Sequence, residues 1–235
     1  LECNDQNVFG FVRYVHKDSD ADIKGVKRGY FFNKVNGTML TRDNYRDLLY
    51  NDSSLSNSFG FANLNYNSNE QCATLVSNDL SISLNKSRLV KDPIHISKTI
   101  EINQKKIGYI MYNQFLGNVE SENKNYNLEL NNVFGQFKSQ GIDELVLDLR
   151  YNPGGRISTS INLASMITGQ FNNQIFAKEK WNSKLMEYWN ENNPDNLINR
   201  FVNNISGVSI NSLSLNKVYI LTTSRTASAS ELLIN

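Results

Sequence analysis

Leu145-Val146-Leu147-Asp148-Leu149-Arg150, running into Tyr151-Asn152-Pro153-Gly154-Gly155, settles the architecture of the larger part of this chain. A short apolar run stopped by Asn, Pro and two glycines reads as a buried strand entering a tight turn, because glycine supplies the positive φ such turns require. Beyond it, Ile161, Ala164 and Ile167 share a helical face that runs to Gly169. Ahead of it, Ile107–Tyr112 reads as another buried strand, and Leu130, Val133, Phe134 and Phe137 share a helical face that Gly141 is placed to end. Val218-Tyr219-Ile220-Leu221 supplies a further strand. The alternation of strand and helix predicts an α/β core. Between residues 178 and 204 the sequence is polar and rich in Asn, and Trp181, Leu185 and Trp189, at i, i+4 and i+8, predict one helix packed onto that core.

The first ninety residues have a different texture. Val8–Val12 with Tyr14-Val15, Tyr30–Val35, and stretches at 59–64, 73–76 and 80–84 read as strands. Asn36-Gly37 is a hairpin signal, since both residues tolerate positive φ. Thr41 is placed to cap a short helix with Tyr45, Leu48 and Leu49 on its apolar face. Pro93 marks the boundary, so the expected domains are residues 1–92, small and β-rich, and residues 93–235.

Composition narrows the functional classes. The chain has 235 residues with 24 Lys and Arg against 23 Asp and Glu, a net charge of +1. That balance leaves no electrostatic footprint for nucleic acid or an anionic membrane. No apolar run is long enough to span a bilayer. Cys3 and Cys72 lack the spacing of a metal or redox motif, and pairing or two lone thiols both fit. His16 and His95 stand far apart, so neither a metal nor another cofactor is called for. A chain without an initiating Met that stops seven residues past Ser228 is expected to be a piece of a longer protein.

Thr226-Ala227-Ser228-Ala229-Ser230-Glu231 follows the last strand directly and admits two readings. In one, Ser228 and Glu231 form a capping box with no chemistry attached. In the other, Ser228 stands exposed at a helix N-terminus as a nucleophile, with backbone amides nearby to hold a developing oxyanion. The Asn152–Gly155 turn divides the same way, into a simple strand-to-helix connection or a source of an oxyanion-binding amide. It is not a phosphate loop, having neither G-x-G-x-x-G nor the lysine-bearing motif.

Leu147–Gly155 together with Thr226–Glu231 resembles the carboxyl-terminal processing, or tail-specific, protease family of serine peptidases. Ile107-Gly108-Tyr109 with Phe115 resembles the strand opening that family's catalytic core. Val8-Phe9-Gly10-Phe11, and Gly25–Gly29 through Val35-Asn36-Gly37, resemble its PDZ domain. The resemblance implies a PDZ-like domain followed by a crotonase-like β/α protease core. It implies Ser228 as nucleophile, Ala229 N–H with Gly155 or Gly154 N–H as the oxyanion hole, and Glu231 in support of a catalytic lysine. The resemblance implies that this lysine lies well downstream of the nucleophile, beyond Asn235; Lys178, Lys180 and Lys217, the candidates present, stand in polar or strand-edge contexts. The implied activity is Ser/Lys-dyad endoproteolysis near polypeptide C-termini, the tail being held at Val8–Phe11. The fragment itself is expected to be inactive. The implied setting is extracytoplasmic, in a bacterial periplasm or envelope, and assembly with copies of itself stays open. The alternatives are an inactive peptide-binding or scaffolding protein with a degenerate protease fold, and a fold relative of the enoyl-hydratase type.

Overall fold

The computed structural model describes residues 6–50, 53–69 and 72–234, and the chain separates into two compact units, residues 1–91 and 92–235. The first contains β1 (Gly10–Phe11), α1 (Asp20–Ile23), β2 (Phe31–Val35), β3 (Thr38–Met39), α2 (Tyr45–Leu49), β4 (Ser56–Asn67) and β5 (Cys72–Asn85). Its antiparallel sheet runs β1-β2-β4-β5, with β3 beside β2. Asn36 and Gly37, at φ 51° and 79°, turn β2 into β3 as the hairpin signal requires.

Several local expectations change here. The strand expected over Val8–Val12 shrinks to Gly10–Phe11, because Val8 N–H turns away to Leu40 O at 3.1 Å. The stretches at 73–76 and 80–84 are one strand, β5, whose register against β4 shifts where Asp79 takes positive φ. A bulge there looks like a chain break to a pattern of period two. Asn44 takes the N-cap position of α2, and Thr41 instead exchanges hydrogen bonds with it. The single-turn helix α1, held by Ser19 Oγ accepting from Asp22 N–H, is too short to show a period. Cys72 is disulfide-bonded, and Cys3 lies outside the described residues.

The second unit comprises β6 (Ile94–Ile102), β7 (Lys105–Tyr112), β8 (Asn118–Val119), β9 (Lys124–Asn125), α3 (Tyr126–Gln140) and β10 (Glu144–Asp148). It continues with α4 (Ile157–Thr168), β11 (Ile175–Lys178), α5 (Ser183–Asn192), β12 (Ile198–Arg200), β13 (Asn204–Ile205), β14 (Val208–Ser209), β15 (Val218–Leu221) and α6 (Ala229–Ile234). The main sheet is ordered β15-β10-β7-β6, with β15, β10 and β7 parallel and β6 an antiparallel edge. Leu145, Leu147 and Leu149 join Ile110 and Tyr112 in a core completed by Leu130, Phe134 and Phe137 of α3 and Leu163, Met166 and Ile167 of α4. Each such side chain contributes about 1.5–3 kcal/mol by leaving water. Gly141 ends α3 at φ 64°, its N–H donating to carbonyls of the last turn.

The helix expected around Trp181, Leu185 and Trp189 exists as α5, but its packing differs. Trp181 precedes the N-cap Asn182, α5 buries none of its residues, and Trp181 and Leu185 are 50% and 40% exposed. Spacing placed the apolar residues on one face without showing that anything covers it. Among the described residues no helix is long and apolar enough to cross a membrane.

Candidate active site

In the register of the main sheet, Asp148 stands beside Met111 of β7 and Leu221 of β15. The three parallel strands therefore end level, and the segments leaving them (113–117, 149–156 and 222–230) start side by side. In open α/β sheets this carboxyl edge is where sites are built.

A seam of hydrogen bonds joins the last two segments. Leu149 N–H donates to Leu221 O, Thr226 Oγ1 to Leu149 O at 2.9 Å, Thr223 Oγ1 to Arg150 O at 2.6 Å, and Ala227 N–H to Asn152 O at 3.3 Å. Asn152, fully buried, is the hub. Its Nδ2 donates to Tyr112 O at 2.9 Å, its Oδ1 accepts from Gly154 N–H at 2.8 Å, and its carbonyl also accepts from Ser230 Oγ at 3.2 Å. One side chain thus ties the end of β7 to the glycine turn, and its backbone ties that turn to the serine segment. From α4, Ser160 Oγ donates to Ala229 O at 3.0 Å. The sequence marks Asn152 only as a turn residue, and Ser160, Thr223 and Thr226 carry no signal of this role. Ser160, Thr223 and Thr226 each act through a partner about 70 residues away, and the Asn152 side chain through Tyr112, 40 residues away, and Gly154.

Beneath the turn lies a buried carboxylate. Asp148 accepts from Tyr109 Oη at 2.7 Å, from Arg150 backbone N–H at 3.1 Å, and from Arg150 Nη2 at 2.6 Å. Burial pushes its pKa up, but the hydrogen bonds from Arg150 and Tyr109 outweigh this and hold it below the usual aspartate value. A carboxyl depressed on folding stabilises the protein above its unfolded pKa, near 3.9, and that contribution is lost as pH falls through the lower folded value. Asp148→Asn is therefore expected to cost about 2 kcal/mol at neutral pH, where Arg150 loses its counter-ion. The gap from the parent should close below about pH 4, which thermal melts across pH would show.

Ser228 is exposed and stands just ahead of α6 at φ 57°, so the chain makes a sharp left-handed elbow there. Its N–H donates to Glu231 Oε2 at 2.7 Å, one half of a capping box. The other half is not formed: Ser228 Oγ has no hydrogen-bond partner among the described residues. The hydroxyl is thus not used as a cap. Gly154, at φ 100°, packs directly against it. A Cβ there would lie 2.7 Å from Ser228 Cβ and 2.9 Å from Ala229 N. The two turns expected to lie together do so.

The amides of these turns are not equivalent. Gly154 N–H is committed to Asn152 Oδ1, which removes it from the expected oxyanion pair. Gly155 N–H and Ala229 N–H have no acceptor among the described residues. Gly155, at φ 142°, bridges to Phe115, whose N–H donates to Gly154 O and whose carbonyl accepts from Arg156 N–H.

Of the lysines considered, Lys178 and Lys180 are exposed and neither bonds Ser228. Lys217 sits at the amino end of β15, away from the serine turn, with its ammonium 4.4 Å from the centre of the Tyr219 ring. Its hydrogen-bonding interaction with Tyr219 raises its pKa, the opposite of what a general base requires. Among the described residues no group of three or more His, Cys, Asp or Glu side chains gathers as a metal site would.

In the first unit, β1 is a terminal strand of its sheet, so among the described residues the far edge of Gly10–Phe11 carries no other strand. Phe9 and Phe11, 38% and 44% exposed, both lean on Phe31.

An exposed serine elbow and a double-glycine turn at the carboxyl edge of a parallel sheet describe the core of a hydrolase-like α/β protein. Residues 106–235, more than half of the chain, match the model of peptidase family S41, and the chain belongs to that family. It is 33% identical over 86 residues to a carboxyl-terminal-processing protease of Picosynechococcus sp., covering 37% of this chain and 19% of that protein. A crystal structure described as an S41 protease from Bacteroides fragilis matches 100% of this chain and 57% of its own, at TM-score 0.73 and 29% identity. The chain thus spans less than two thirds of either relative.

Proposed function

We propose that this chain carries the nucleophile and oxyanion hole of a serine endopeptidase that cleaves polypeptides near their C-termini. The observation carrying this reading is the Ser228 hydroxyl, unpartnered among the described residues at a left-handed elbow packed against Gly154, with the neighbouring Gly155 N–H and Ala229 N–H both uncommitted among those residues. Ser228 Oγ attacks the scissile carbonyl carbon, its proton passes to a base, and the carbonyl oxygen becomes an oxyanion accepting from those amides. Collapse of the tetrahedral adduct expels the amine of the leaving peptide, protonated by the same base, and water then hydrolyses the acyl-enzyme. Glu231 holds the nucleophile's own backbone. The base is a lysine of the longer protein, as the family resemblance implies, and it must be held neutral by desolvation.

The first unit, PDZ-like in this reading, captures the substrate tail. The open edge of β1 allows an extended peptide to add as a further strand along Phe9–Phe11, Val8 N–H being taken by Leu40 O, with Phe9 and Phe11 offering apolar contacts. The family resemblance supports an extracytoplasmic, envelope-facing setting.

Covalent capture tests the reading. The full-length protein is treated with a fluorophosphonate probe and digested, and the modified peptide is sequenced. The expected adduct is on Ser228. An unmodified Ser228 in protein that still binds peptide tails would overturn the enzyme in favour of a peptide-binding protein.

A further inference from the structure

Arg156 follows the glycine whose amide is proposed for the oxyanion hole, and its surroundings are unusual for a guanidinium. It is exposed and makes no ion pair or side-chain hydrogen bond among the described residues. Its stem lies across Gly117: a Cβ on that glycine would come within 2.9 Å of both Arg156 Cδ and Nη1. The backbone under it is fixed, because Arg156 N–H donates to Phe115 O at 2.9 Å. Thr159 Oγ1, one turn further on, donates to Leu116 O at 3.3 Å and ties the same wall to α4. Two Cα steps, at most about 8 Å, separate Arg156 from Gly154, which touches Ser228.

The position also lacks a structural reason to be basic. Arg156 is the N-cap residue of α4, offers no side-chain cap bond, and has no acidic residue in the following turn to pair with. A cation at the positive end of a helix dipole works against that helix. A guanidinium that lies over Gly117, two residues from the glycine that touches Ser228, and has no counter-ion among the described residues keeps its donors free for a planar anion.

We propose that Arg156 is a specificity residue that binds a carboxylate of the substrate close to the scissile bond, and this rests on the proposed Ser228 site. The carboxylate is either an Asp or Glu side chain beside the cleaved peptide or the terminal carboxylate of a tail cut very near its end. Either presents two oxygens to the guanidinium fork. Gly117 gives the arginine stem room to lie flat, and the Phe115–Gly117 segment forms the wall against which it is held.

The experiment uses the full-length protein and four short fluorogenic peptides, with Glu or Gln beside the cleaved bond and a free or amidated C-terminus. At low salt, kcat/KM is expected to favour one carboxylate-bearing partner of a pair by about tenfold, and the favoured pair identifies the source. In Arg156→Leu and Arg156→Gln that ratio should fall to about one, and Arg156→Lys should recover part of it. A ratio of one in the parent, or a ratio unchanged by both substitutions, overturns the proposal while leaving the protease intact. Cleavage that is absent, or indifferent to Ser228→Ala, instead overturns the site reading. In that event, fluorescence anisotropy of the same peptides on Ser228→Ala protein, with and without Arg156→Leu, still reads the contact. Affinity for carboxylate over amide that disappears with Arg156 supports it, and equal affinity rejects it.

Discussion

Replacing Ser228 by alanine is expected to lower kcat/KM of the full-length protein on an unfolded polypeptide by about 10,000-fold. The melting temperature should move by less than about 2 °C. These two numbers separate the readings that the sequence left open. A serine serving as a helix cap loses 0.5–2 kcal/mol on replacement by alanine, roughly 1 kcal/mol being typical, and its melting temperature falls accordingly. Ser228 Oγ makes no such bond, while the half of the capping box that does form uses its backbone N–H and survives the substitution. Alanine also tolerates φ 57° about as poorly as serine, so the elbow's strain is unchanged. What disappears is the atom proposed to attack. Retained turnover with an unchanged melt would sink the nucleophile assignment.

Gly155→Ala is expected to lower kcat/KM by at least about 100-fold and stability by about 2–3 kcal/mol. A Cβ at Gly155 would fall 2.2 Å from Phe115 O and 2.9 Å from Phe115 C, and φ 142° is a backbone region that alanine rarely adopts. Neither obstacle is a flexible side chain. To relieve the clash the 113–117 segment must move, breaking the bonds of Phe115 N–H to Gly154 O and of Arg156 N–H to Phe115 O. The amide assigned to the oxyanion then points elsewhere. Gly141→Ala provides the comparison, since Gly141 also has positive φ, 64°, but open space around its Cβ position and no part in the site. It should cost about 1 kcal/mol and leave turnover unchanged. Equal effects at the two glycines, measured by steady-state kinetics and urea melts, would show that the 155 position matters only through backbone strain.

Strands and helices of the second unit were legible because their patterns are local. β7, β10 and β15 are short apolar runs, α3 buries one face, α4 is buried nearly all round, and both helices stop at a glycine with positive φ. The first unit was less legible. β1 is two residues long, α1 is a single turn, and the bulge in β5 interrupts its alternation. Around Trp181 the helical spacing was right, but burial was not. An apolar face says that cover would be favourable, not that a neighbour supplies it.

Read along the chain, residues 226–231 offered a serine among small neighbours and residues 152–155 a turn, and turn chemistry is encoded within a few residues. Their meeting was not encoded there. Parallel strands bring Asp148 level with Leu221, and that register lets Asn152 accept from Ala227 and Ser230. The amides divide by a further contact: Asn152 Oδ1 takes Gly154 N–H, leaving those of Gly155 and Ala229 unclaimed among the described residues. That last contact spans two residues and is local turn chemistry, but the bonds that bring the two turns together join groups more than seventy residues apart in sequence, where no local pattern can register them.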